Sequence, residues 1–180
     1  DGAITLVKND DNLIPLKELD KTKIASVAIG APASNPFQDY LKRYADVNTF
    51  RSETTAGIAA IEALKSHDVV IISIHSAKAV DAVAIQQLAK DTKVILVMLT
   101  SPYRLKNLEH GANAAKSVVV GYDASNMAQE SMAQAVFGGI AITGRLPVTA
   151  GDYKQGSGID TQKIRLSYSL PEEVGLSSSY

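Results

Sequence analysis

The chain has 180 residues, 46% of them hydrophobic and 21% charged, a formal net charge of −1 and no cysteine. That length suits one domain able to bury roughly 70% of its unfolded surface. The absent cysteines exclude disulfides, thiol catalysis and thiolate metal sites; the scattered charges offer no stripe for nucleic acid, and no apolar run is long enough to span a membrane.

Residues 4–8 (ITLVK) read as a leading strand, followed by a turn at Asp10-Asp11-Asn12 and a crossing segment around Pro15. Residues 23–30 (KIASVAIG) are apolar and β-branched without alternation, the pattern of a strand covered on both faces. In the next loop Asn35 is placed to cap a helix that begins at Pro36. Phe37, Tyr40, Leu41 and Tyr44 follow at helical spacing. A brief strand at 46–50 leads to a helix opening at Thr54 or Thr55, with Ile58, Ile61 and Leu64 along one side. Residues 68–75 (DVVIISIH) are the clearest strand. A helix over about 80–90 is expected to turn Val80, Val83, Ala84 and Leu88 to the sheet. Then come a strand at 93–99, a short helix at 103–108 and a strand at 117–121.

Residues 122–149 (YDASNMAQESMAQAVFGGIAITGRLPVT) organise the rest. Asp123 or Ser125 can cap a helix whose apolar face is Ala128, Met132, Ala135 and Val136. Gly138-Gly139 ends it, and Pro147 keeps Leu146 out of the α region on the extended exit. Strands alternating with helices predict an α/β three-layer sandwich with a mainly parallel, flavodoxin-like doubly wound sheet. Residues 1–150 form that domain. Residues 151–180 read as an extended C-terminal tail or linker, with Ile159, Ile164, Leu166 and Leu170 as isolated anchors.

Such a sheet takes its ligands at the C-terminal ends of its strands. The first of those loops, GAPASN, lacks the GxGxxG spacing of a dinucleotide cradle, and no GxxxxGK[ST] or GxSxG element occurs. No cofactor is expected. His75, with Ser76 and Lys78 behind it, is a candidate acid/base or substrate contact, against the plainer reading of a hydrated loop histidine. His67 and His110 fall near helix ends, and no histidine pair has metal-ligand spacing, so no metal is expected. Asp10-Asp11, Asp152 and Glu172-Glu173 lie in turns or the tail and form no recognisable catalytic pair. Tyr103, Tyr122 and Asp123 follow strand ends, where they can meet a substrate or a neighbouring domain, or merely pack and cap. His75, Ser76, Tyr103, Tyr122 and Asp123 are therefore the substrate-proximal candidates, and no residue is assigned as catalytic.

Three segments in order carry a family resemblance: VKNDDNLIPLK (residues 7–17), TSPYRLKNL (100–108), and the FGG followed by GRLPVT within 122–149. Together they resemble the C-terminal domain of glycoside hydrolase family 3. The resemblance implies an N-terminal (β/α)8 catalytic barrel in the same parent chain, and retaining, exo-acting hydrolysis of terminal β-linked sugars. It places the nucleophilic aspartate on that barrel, so this chain alone is expected to be inactive. In many β-glucosidase-type members the sandwich supplies an acid/base glutamate, but residues 75–93 contain none. That absence resembles the β-N-acetylglucosaminidase branch, whose His–Asp pair lies on the barrel. The ending YSLPEEVGLSSSY is similar to the linker that, in some bacterial members, leads to a β-lactamase-like domain; for such a parent a periplasmic or extracytoplasmic location is implied. The rival reading is a stand-alone flavodoxin-like small-ligand binding or regulatory module.

Overall fold

The computed structural model describes residues 4–76 and 81–168. Six strands form one sheet: β1 (Thr5–Asn9), β2 (Ile24–Ile29), β3 (Val47–Ser52), β4 (Val69–Ile74), β5 (Lys93–Met98) and β6 (Ser117–Val120). Their spatial order is β1-β6-β5-β4-β2-β3. All neighbours are parallel except β1, which runs antiparallel to β6. Without β1 the five parallel strands have the flavodoxin-like order, so the chain reverses its winding between β2 and β4. This is the predicted architecture, with the leading strand as an antiparallel edge.

β2, β4 and β6 are buried at every position, which explains their unalternating apolar sequence. One face of the sheet packs α1 (Pro36–Leu41) and α4 (Asn126–Val136), through Phe37, Leu41, Met132 and Val136. The other packs α2 (Val83–Leu88), α3 (Glu109–Ala114) and three 3-10 segments, through Ile58, Leu64, Ile85, Leu105 and Leu108. Each such side chain contributes about 1.5–3 kcal/mol of burial.

Local chemistry sets the helix ends. Asn35 caps α1, its Oδ1 accepting from Gln38 N at 2.9 Å, with Pro36 at the first helical position. Both residues proposed at the start of α4 take part: Ser125 Oγ accepts from Ala128 N at 3.2 Å, while Asp123 Oδ1 accepts from Ser125 N at 2.8 Å. Gly138, at φ +76°, closes α4, where an added Cβ would meet Ile164 and Pro15. Lys8 reaches from β1 to the end of α3 and donates to the carbonyls of Ala112, Asn113 and Ala115 at 3.3, 2.6 and 2.7 Å. A cation there offsets the helix's exposed negative end.

Three expectations need correction. The helix from Thr54 or Thr55 is two 3-10 segments, Ala56–Ala60 and Glu62–Ser66, broken at Ile61. Val83 points to solvent, 58% exposed, because α2 starts only there and turns Ala84, Ile85 and Leu88 inward; Val80 lies outside the described residues. The segment at 102–108 is 3-10, and a further helix, α3, continues from it.

Residues 151–168 cross the outside of the domain as a strap with almost no regular structure. Ile159 N donates to Leu6 O at 2.8 Å, along the outer edge of β1, where Gly144 N also donates to Ile4 O at 3.1 Å. Ile164 N and Arg165 N then donate to Gly138 O. Of the expected apolar anchors, Ile159 and Ile164 are about half-buried, Ile164 against Gly138, whereas the Leu166 side chain is 84% exposed; Leu170 lies outside the described residues. Main-chain hydrogen bonds, Arg165 and Tyr168 hold the strap beside them.

Candidate functional site

The reversal between β2 and β4 places the loop at Gly30-Ala31 beside the end of β4 at His75-Ser76. His75 N donates to Ile29 O at 2.9 Å, and Gly30 N donates to Ser52 O at 2.9 Å. Arg51 Nη1 reaches Ala31 O at 3.3 Å. Gly30 adopts φ +71°, and a Cβ there would come within 2.0 Å of Ser76 Oγ. Ser76 thus closes down on Gly30 and fills the space in which a doubly wound protein commonly cradles a phosphate.

The His75 ring lies in this crevice, edge-on to Phe37 with centroids 6.1 Å apart. Its Nε2 shares a 2.9 Å hydrogen bond with Ser73 Oγ. Burial lowers its pKa to about 4, because the imidazolium would lose its hydration without gaining an anionic partner. The ring is therefore neutral at physiological pH, able to accept or donate one hydrogen bond but not to act as a ready acid.

The other candidates follow neighbouring strands along the same edge. Tyr103 opens the 3-10 segment Pro102–Leu108 and is 62% exposed. Tyr122, at φ +71°, turns back over the sheet, its hydroxyl 2.7 Å from Thr5 Oγ1. The Asp123 carboxylate is exposed and engaged with Ser125, whose hydrogen bonds hold its pKa below the ordinary value. The strand ends thus gather His75, Ser76, Tyr103, Tyr122 and Asp123 along one edge, with Asp123 the only carboxylate among them. Lys78 lies outside the described residues.

Sequence reasoning passed over several residues. Gln38 is buried where α1 crosses β2 and β3, donating to Ser26 Oγ at 3.1 Å and Phe50 O at 2.9 Å. Gln129 Oε1, also buried, accepts from Phe37 N at 3.3 Å and so ties α4 to α1 above His75. Both side chains sit on helix faces whose spacing reads as apolar, so only their partners reveal them. The fold also joins two carboxylates that the sequence left apart. Asp152 hydrogen-bonds Glu109, and that bond first, then the repulsion between them, raises the Glu109 pKa.

Among the described residues no three His, Asp or Glu side chains cluster as a metal site, and no helix is long and apolar enough to cross a membrane. A depression of 650 Å³ lies at the opposite edge of the sheet, lined by Lys17, Lys21, His67, Lys90, Asp91 and Lys93. It faces the N-terminal ends of the strands, away from the winding reversal.

No protein family's sequence profile matches the chain, and no curated protein does. Solved structures do. A fungal multi-domain GH3 β-N-acetylglucosaminidase superposes with a TM-score of 0.60 at 21% identity, over 84% of this chain and 18% of that one. A β-glucosidase from Listeria innocua, in complex with isofagomine, gives 0.60 at 19% identity, over 79% and 24%. The β-glucosidase D2-BGL from Chaetomella raphigera gives 0.60 at 16%, over 82% and 28%. The chain spans less than a third of the length of each of these enzymes, and its fold is that of one part of glycoside hydrolase family 3 proteins.

Proposed function

We propose that this chain is the C-terminal accessory domain of a retaining, exo-acting β-glycosidase of family 3, packed on a catalytic (β/α)8 barrel in the same parent polypeptide. Its role is to wall one side of the sugar pocket and steady the barrel's loops. The observation that carries this reading is the makeup of the strand-end edge. Among the described residues outside the strap, the exposed large apolar side chains are Val83, Tyr103 and Met127, each at the N-terminal start of its helical segment and so at that edge. His75, Ser76, Tyr122 and Asp123 stand among them. β1 is antiparallel, so Thr5 pairs with Val120 and also begins there. A preceding domain joins at that same edge.

The sugar is a terminal β-linked N-acetylglucosamine, a reading supported by the lack of any glutamate between His75 and Lys93. His75 offers a neutral ring to a sugar hydroxyl or amide, and Tyr103 an exposed aromatic face to a pyranose ring. Both protonation and nucleophilic attack fall to the barrel. The purified chain accordingly shows no turnover of aryl β-N-acetylglucosaminide or aryl β-glucoside. Turnover that vanishes in His75→Ala or Asp123→Asn overturns the reading. In the full polypeptide, Tyr103→Glu with Met127→Glu lowers kcat/KM for the aryl β-N-acetylglucosaminide; unchanged kinetics count against the docking edge.

A further inference from the structure

We propose that the strap is a detachable clasp that sets the spacing of α1 and α4 and, through Phe37, the seating of His75. The inference stands on contacts within this chain and not on the glycosidase reading. α1 and α4 lie side by side on one face of the sheet and are tied at both ends. At the strand-end edge the tie is Gln129, whose Oε1 accepts from Phe37 N while its Nε2 donates to Ala124 O at 2.8 Å. At the opposite edge the tie is the strap. Tyr168 N donates to Gln134 Oε1 on α4 at 2.7 Å, and its hydroxyl donates to Arg43 O, just past α1, at 3.1 Å. Tyr44 stacks on Phe137 at 5.2 Å and meets Tyr168 edge-on at 5.1 Å, while its hydroxyl donates to Leu166 O at 3.0 Å. The Arg43 guanidinium lies 4.4 Å above Tyr40 and 5.3 Å from the Tyr168 ring. Arg165 donates to Phe137 O at 2.7 Å and to Leu16 O, closing the end of α4.

These attachments are mainly polar and aromatic; of the strap's aliphatic side chains, Leu166 is 84% exposed and Ile159 and Ile164 are only about half-buried. Releasing it therefore exposes little core, which is the condition for an opening cheaper than global unfolding. Releasing it also removes the hydrogen-bonded bridge between the far ends of α1 and α4 and leaves the Gln129 bridge. The Gln129 bridge passes through Phe37, the residue against the His75 ring.

The test compares the wild type with Tyr168→Ala and Tyr168→Phe. In the wild type, the strap amides of Ile159, Thr161 and Ile164 exchange hydrogen at least tenfold faster than those of β4. Equal, globally limited exchange overturns the clasp, and this measurement needs no variant to fold. Tyr168→Ala makes the strap protease-sensitive, moves the His75 ring resonances and raises their titration midpoint. Tyr168→Phe keeps the ring contacts and stays close to wild type. A released strap with unmoved His75 resonances overturns the transmission to the crevice.

Discussion

His75 makes this protein's stability depend on pH. Its folded pKa is about 4, against about 6.5 in an unfolded chain. Below pH 6.5 the unfolded state binds a proton that the folded state refuses, so stability falls as pH falls. The loss accumulates down to about pH 4, where the folded ring protonates too, and reaches about 3 kcal/mol. Denaturant unfolding at pH 7 and pH 4.5 should show this slope in the wild type and a shallower one in His75→Asn. Gly30 offers a second test at this scale. Its φ of +71° and the nearness of Ser76 Oγ penalise any Cβ, and the left-handed conformation alone costs about 1–2 kcal/mol. Gly30→Ala should thus lower the unfolding midpoint, and adding Ser76→Gly should restore the steric part only. The sequence made His75 visible because it terminates the strongest apolar run. It could not show that the ring is half-buried, for that follows from Phe37 and α1 packing against it.

At the scale of elements, strands were the most legible part of the sequence. β2, β4 and β5 are apolar runs too short and too β-branched to be much else. The connections were less so. Between β3 and β4 the chain must return along a six-residue strand, roughly 20 Å. About eleven residues, Ala56 to Ser66, do this. As an α-helix they reach only about 16 Å, but as 3-10 turns about 22 Å. Helical spacing of Ile58, Ile61 and Leu64 survives, so the sequence pattern points inward correctly while misreporting the pitch. Lys8 supplies a prediction here. Lys8→Met removes the cation from three carbonyls at the end of α3 and should cost about 1 kcal/mol, measurable by chemical denaturation. Deletion from residue 151 onward should cost about 2 kcal/mol, several weak hydrogen bonds less the entropy of ordering the strap. A single cooperative transition should remain, and its loss would show the strap to be part of the core.

At the scale of the molecule, the large exposed apolar side chains among the described residues divide between the strap and the strand-end edge. No periodicity in the sequence announces that division, because Val83, Tyr103 and Met127 are far apart in the chain and meet one edge only through the order of the strands. Replacing Tyr103 and Met127 with glutamate should leave the isolated chain's stability within about 0.5 kcal/mol of wild type, as expected of surface positions. A larger loss would mean those side chains pack within this chain. The two margins of the sheet differ in another respect. On the outer side of β1 the Ile4 and Leu6 carbonyls accept from Gly144 and Ile159, whereas among the described residues β3 pairs only with β2. Open strand margins invite copies of the same chain to add on. Here a pair joined through β3 would present outward the β1 margins that Gly144 and Ile159 partly cover, which disfavours growth by strand addition beyond two copies. Cutting the strap away would remove that cover from the Ile159 side, turning a self-limiting contact into one able to continue.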